Sequence, residues 1–196
     1  MKTKHILFTA AFALVAFAFN MAAITYKVDS KQSKVTWIGK KVTGEHTGNI
    51  SLMDGTFAFD GKAVTGGSFN IDMNSITCTD LTDAEYNGKL IGHLKSDDFF
   101  STAKFAKSTL VLTKLVPAGK NLYNVMGNLT IKGVTHPVEF PATITVALDK
   151  ITAKGKIMVD RTKYDIKYGS ASFFDSLGDK AISNEFELNV DLVAKK

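Results

Sequence analysis

Apolar and polar residues alternate through most of the chain beyond its N-terminal segment. Val35 and Trp37 share one face against Thr36 and Ile38, and Phe57 and Phe59 alternate with Ala58 and Asp60. Phe69, Ile71 and Met73 alternate with Asn70, Asp72 and Asn74. Ala153, Gly155, Ile157 and Val159 alternate with Lys154, Lys156 and Met158. In the last such run Phe186, Leu188, Val190 and Leu192 oppose Glu187, Asn189 and Asp191. A period of two sends each set to one face of a strand, and one apolar face beside one solvated face predicts antiparallel sheet. Turn-forming residues punctuate the runs at Met53-Asp54-Gly55, Asp60-Gly61-Lys62, Gly66-Gly67, Ala118-Gly119-Lys120 and Lys132-Gly133.

One segment breaks this rhythm. Between Asp83 and Lys95 the residues Tyr86, Leu90 and Leu94 recur at four-residue spacing, with Ile91 and His93 beside them, which predicts a short helix. Asp80, Thr82 or Asp83 can cap its start, and Lys95 suits the negative end of its dipole. Gly88 and Gly92 each weaken it by about 1 kcal/mol relative to Ala, so packing of Leu90 and Leu94 on a sheet must hold it. No linker, repeat or low-complexity stretch divides the chain. A closed barrel and a sandwich fit this pattern equally.

The N-terminal segment is different again. Lys2 and Lys4 precede a charge-free apolar run from Ile6 to Phe19, and small residues follow at Ala22 and Ala23. That is the make-up of an export signal, and the run is shorter than the roughly 20 apolar residues a spanning helix needs. The expectation is a signal peptide over 1–23, with Ala18 as a second place for the cut. A single domain over 24–196 then follows, without an integral membrane segment. Loss of the signal removes two lysines and no acidic residue from a formal charge of +5. The remaining excess is too small and too evenly spread for a nucleic-acid partner. Cys78 is the sole cysteine and cannot form an internal disulfide, so stability must come from packing.

The stretch Gly127–Pro141, GNLTIKGVTHPVEFP, reads as a hairpin. Val125, Gly127, Leu129 and Ile131 alternate with Met126, Asn128, Thr130 and Lys132, a Lys-Gly turn follows, and a second strand resumes at Val134. Pro137 has no N–H for a ladder, which excludes a central strand position there. The stretch resembles the LTI-x-GVT-x-P-V hairpin of the YceI-like family, bacterial periplasmic polyisoprenoid-binding proteins. VTWIGKKVTGEHTGNI at Val35–Ile50, GHLKSDDFF at Gly92–Phe100 and VDRTKYDIKYG at Val159–Gly169 extend the resemblance from Tyr26 to Val193. It implies an all-β fold with one short helix, an extended antiparallel, lipocalin-like β-barrel in the periplasm. It further implies a non-enzymatic role, with an isoprenoid lipid, polyprenyl or quinone-type, held inside. The chain departs from the family pattern at Asp165, which follows Tyr164 where a Gly is common.

A barrel of about eight strands is either filled by its own side chains or has room for one ligand. The aromatics therefore have two readings. Any single Phe is by default a core residue; for the set, the family resemblance favours the wall of a ligand pocket. The wall candidates are Trp37, Phe57, Phe59, Phe69, Leu90, Leu94, Phe99, Phe100, Phe105 and Phe173. The pairs Phe99-Phe100 and Phe173-Phe174 lie outside regular alternation, as rings at a cavity mouth would.

Arg161 is the one arginine of the chain. Its planar fork suits a carboxylate or a phosphate. It either clamps Asp160, Asp165, Asp175 or Asp179, or meets a head group such as a diphosphate or a quinone carbonyl. His93 is the other candidate for a ligand's polar end. A metal-assisted hydrolase would need His46, His93 and His136 to converge, but their spacing supplies no short ligand pair, and no metal is expected. There is no G-x-S-x-G elbow and no phosphate-cradling loop, so neither catalytic residue nor cofactor is expected. A third class is an interaction module without lipid, recognisable by an exposed apolar patch. Sequence leaves the oligomeric state open, a homodimer included.

Overall fold

The computed structural model describes residues 23–196, so the expectation of a signal peptide lies outside the described residues. Nine strands form one sheet: β1 Ile24–Val28, β2 Lys34–Lys41, β3 Gly44–Phe59, β4 Val64–Asp72, β5 Lys107–Gly119, β6 Leu122–Ile131, β7 Val134–Val146, β8 Lys150–Asp160 and β9 Ile182–Lys195. Helix α1, Ala84–Lys95, lies between β4 and β5. Neighbours run β2–β9–β8–β7–β6–β5–β4–β3, and β3 pairs with β2 again, so the sheet closes. Strand β1 adds no further position. Tyr26 pairs with Phe57 and Val28 with Ala194, which makes β1 a continuation of β2 between β3 and β9. The result is an eight-stranded closed antiparallel barrel with one helix.

The interior follows from the alternation. Ile151, Ala153, Ile157 and Val159 of β8 are buried, while Lys154, Lys156 and Met158 face outward. Lys154 and Lys156 pair with Asp191 and Glu187 of β9 at 2.6 and 2.9 Å across the outer surface. Two of the turn signals fall inside strands instead. At Met53-Asp54-Gly55 the register of β3 against β4 shifts between Leu52 and Asp54, so the segment is a bulge in a continuous strand. Gly55 is needed there, because a Cβ would stand 2.7 Å from the ring of Phe69. Gly66-Gly67 likewise lies within β4.

Pro137 and Pro141 fit the rule that proline avoids central ladders. Both sit on the part of β7 that pairs only with β6, and β8 joins β7 from Ala142 onward. Where β7 and β8 separate, the ring of Tyr164 stacks edge-on against His136 at 5.3 Å.

Two segments cover one end of the barrel, hereafter the helix end. Asp83 caps α1 by accepting from the backbone N–H of Glu85 and Tyr86. Leu94 is buried and Leu90 packs against the core, but Tyr86, from the same expected stripe, is 64% exposed and faces outward. After α1 the chain turns back beneath it, with the Phe100 N–H on the carbonyl of Leu94 at 3.0 Å, and this carries Phe99 and Phe100 inward. The second cover is the segment 161–181. At the opposite end Tyr26, Val64, Ile151 and Ala194 pack together in the core, and the Tyr26 hydroxyl donates to the Leu148 carbonyl at 3.2 Å.

Candidate functional site

A cavity of about 330 Å³ runs through the barrel interior. Trp37, Phe57, Phe69, Leu90, Leu94, Phe99 and Phe100 line it, joined by inward residues of the other strands such as Leu112, Val125, Leu129, Phe140 and Phe186. The aromatics make an edge-to-face series on two sides: Phe57 on Phe69 at 5.0 Å, and Phe99 on Phe100 at 5.3 Å with Phe186 beyond at 6.1 Å. Such edge contacts fix ring orientation and give a rigid apolar wall.

Three of the expected wall residues lie elsewhere. Phe59 follows a register shift near the end of β3 and is half-buried against Tyr26, with ring centroids 6.1 Å apart. Phe105 packs on the β6–β7 turn, where a Cβ on Gly133 would meet its ring at 3.2 Å. Phe173 is 50% exposed in the covering segment, with the Lys167 ammonium 5.4 Å above its ring, and Phe174 is equally exposed. Phe173 and Phe105 sit in loops, where no alternation decides the direction of a side chain.

Polar groups on the cavity wall gather at the helix end. Asp160 closes β8 and caps the 3-10 turn Arg161–Tyr164, accepting from the Thr162 N–H at 3.0 Å. That turn sends Arg161 inward, where it is 2% exposed. Of the two readings offered by the sequence, the clamp is present, but its partners are carbonyls and not carboxylates. Nε donates to Ser183, Nη1 to Ile166 and Nη2 to Ile182, at 2.9, 2.8 and 3.0 Å. The guanidinium also lies 5.5 Å from the Phe99 ring. Burial lowers its pKa, the nearby Asp160 charge acts the other way, and the group stays protonated. A guanidinium has more N–H donors than these three bonds use. Asp165 adopts φ 57°, the left-handed conformation that a Gly takes freely, so the turn after Tyr164 keeps its shape without the Gly.

His93 projects from the last turn of α1 onto Phe99 and Tyr168, with ring centroids 5.6 and 4.4 Å apart. Both His93 and Arg161 line the cavity. Ser108 of β5 joins them there. It is 5% exposed, and among the described residues its Oγ is the one buried side-chain oxygen or nitrogen without a hydrogen-bond partner. The sequence reading passed over Ser108, although it shares the inward face of β5 with Leu110 and Leu112. His46, His93 and His136 do not converge: His46 bonds to Asp80, while His136 stacks on Tyr164.

Residues 26–194 match the YceI-like domain. Protein YceI of Escherichia coli is 32% identical over 148 residues, covering 72% of this chain and 73% of that protein. A UPF0312 protein of Shewanella denitrificans is 30% identical over 145 residues, covering 71% and 72%. Among solved structures, Burkholderia cenocepacia BcnA superposes with a TM-score of 0.67 at 27% identity, over 86% of this chain and 99% of that one. A polyisoprenoid binding domain from Saccharophagus degradans shares the fold with a TM-score of 0.64 at 15% identity, over 87% and 97%.

Proposed function

This chain belongs to the YceI-like family, and from that premise we propose that it holds an isoprenoid lipid, polyprenyl or quinone-type, inside its barrel in the periplasm. The observation that carries this reading is the distribution of chemistry on the cavity wall. Aromatic and aliphatic side chains make most of it, and Arg161, His93 and Ser108 gather at the helix end. An apolar tail moved from water into that space gains about 2.5 kcal/mol per 100 Å² buried, partly offset by the loss of free motion on association.

The tail lies along the strands and the polar end of the lipid rests at the helix end. Arg161 has donors to spare and Ser108 has a hydroxyl to give, so the head is one that accepts hydrogen bonds, a quinone carbonyl or a phosphate. The role is that of a carrier or reservoir, without bond making. The fold shared with a polyisoprenoid binding domain supports this at the level of architecture. The charged start and apolar run at Lys2–Phe19 support export; N-terminal sequencing that finds Met1 on the exported protein would rule that out.

The test is organic extraction of the protein purified from its own envelope, followed by mass spectrometry. An isoprenoid present at about one per chain is the expected result. The exposed rings of Tyr168, Phe173 and Phe174 favour a second reading, a protein-interaction module. Lipid-free protein that retains a protein partner would favour that reading.

A further inference from the structure

Beyond Ser75 the chain runs antiparallel along the first half of β3. Thr77 and Thr79 donate their N–H groups to the carbonyls of Asn49 and Thr47, both at 2.9 Å. The segment occupies the edge of β3 that β4 leaves free, since β4 pairs with β3 only from Ser51 onward. Gly48 permits this close approach, because a Cβ there would stand 1.7 Å from the Thr77 carbonyl oxygen. Trp37 donates Nε1–H to that oxygen at 2.9 Å. On the other side Asn87 of α1 donates to the carbonyls of Cys78 and Leu81 at 3.1 and 2.9 Å. The segment is pinned from barrel and helix together.

This docking brings three metal-ligating side chains to one point. His46 Nδ1 lies 2.8 Å from Asp80 Oδ2, and the Cys78 thiol donates to Asp80 Oδ1 at 3.2 Å. Ligand atoms of all three lie within 4.8 Å of one another. The Thr47 N–H also donates to Asp80 Oδ1, at 2.8 Å, and fixes the carboxylate as an outer-shell partner fixes a metal ligand. Cys78 is buried, while the His46 and Asp80 side chains are each 31% exposed, so an ion can arrive from solvent on one side.

We propose that His46, Cys78 and Asp80 form a binding site for a zinc-class divalent ion, with the fourth coordination position open to water. One nitrogen, one sulfur and one oxygen donor select a borderline-soft ion, whereas Mg²⁺ and Ca²⁺ take oxygen ligands. With metal–ligand bonds of about 2.0–2.3 Å, tetrahedral ligands stand about 3.3–3.7 Å apart, so an ion parts Asp80 slightly from His46 and Cys78 and draws the widest pair of this compact set together.

Asp80 accepts hydrogen bonds from His46, the Thr47 N–H and the Cys78 thiol, an arrangement that suits a carboxylate. In the ion-free protein the Cys78 thiol spends its hydrogen on Asp80 Oδ1. On binding, the S–H bond breaks, the metal–sulfur bond forms and one proton passes to solvent. Where His46 ligates through Nδ1, the hydrogen that atom donates to Asp80 leaves it and the ring's proton stands on Nε2. A search for several histidines misses this site, because it uses one histidine with a cysteine and an aspartate two residues apart, far along the chain.

The test uses the chain without any affinity tag, stripped of metal and titrated with Co²⁺ and then Zn²⁺. Expected are stoichiometric Co²⁺ binding with a sulfur-to-cobalt charge-transfer band, loss of that band on adding Zn²⁺, and slower alkylation of Cys78 in the presence of Zn²⁺. Cys78→Ser should abolish the band, and His46→Gln or Asp80→Asn should weaken binding by about tenfold or more. The alkylation readout is made on the unaltered chain, so it stands even where a variant folds poorly. Equal alkylation rates with and without Zn²⁺, Co²⁺ binding without the band, or displacement of Co²⁺ by Mg²⁺ as readily as by Zn²⁺ would each overturn the proposal.

Discussion

The two ends of the barrel are equally shielded from water, yet their inward side chains meet different things. At the end opposite the helix, Tyr26, Val64, Ile151 and Ala194 are 2, 4, 0 and 0% exposed, and they lie outside the cavity lining. At the helix end Leu94, Phe99 and Phe100 are 7, 7 and 8% exposed, and they face the cavity. Exposure alone does not separate a filled core from a ligand wall. Hydrogen bonding differs between the ends: the Tyr26 hydroxyl finds the Leu148 carbonyl within the protein, whereas Ser108 Oγ has no partner among the described residues. A buried donor without a partner costs free energy, and a ligand that accepts its proton recovers it.

Substitutions can break that contrast, beginning with the largest effect. Tyr26→Ala removes a side chain packed on all sides and should cost about 3–5 kcal/mol in urea unfolding, with lipid affinity unchanged. A fall in affinity would show that the filled end also touches ligand. Arg161→Met leaves the carbonyls of Ile166, Ile182 and Ser183 without their donor, and should cost about 3 kcal/mol. A variant as stable as the parent would mean that the clamp contributes nothing and that Arg161 serves the ligand alone.

Tyr164 sharpens the comparison through pH. Burial, aided by the Asp160 charge, raises its phenol from 10 to about 12. The folded state thus holds the proton more tightly than the unfolded chain. The associated stability is fully present below pH 10 and is lost between pH 10 and about 12. Its size is on the order of 2 kcal/mol, and Tyr164→Phe should remove that step from the pH profile of unfolding. If the profiles of parent and variant superimpose, the phenol is not buried as described. The smallest expected effect is at Ser108. Ser108→Ala should change stability by less than about 1 kcal/mol while weakening binding of a quinone more than binding of the plain hydrocarbon. Equal weakening of both would show that the hydroxyl does not meet the head group.

Much of this architecture was legible in the sequence, for identifiable reasons. The period-two runs of β8 and β9 found their inward faces because each such strand has solvent on one side. The start of α1 was legible to within three cap candidates, Asp80, Thr82 and Asp83, because a side-chain cap acts locally, and Asp83 is the one that caps. Closure was not legible from periodicity, since β3 changes partners along its length through a bulge that looks like a turn at Asp54-Gly55. Arg161 was recognised by its rarity, but its partners are backbone carbonyls, which leave no sequence signal. Phe173 was misplaced because its direction is set by a loop. The His46–Cys78–Asp80 cluster was invisible because it depends on Gly48 letting two segments approach.

The contrast between the ends is tested most directly by titrating a polyprenyl lipid into the parent, Phe99→Ala and Phe100→Ala, with urea unfolding of each without lipid. If these rings line a ligand site, affinity falls by about tenfold, the equivalent of roughly 1.4 kcal/mol of lost contact. Stability without lipid then falls by less than the roughly 3–5 kcal/mol expected of a filled core. Unchanged affinity together with the full loss of stability would mean that the barrel is plugged by its own side chains, and would contradict the account.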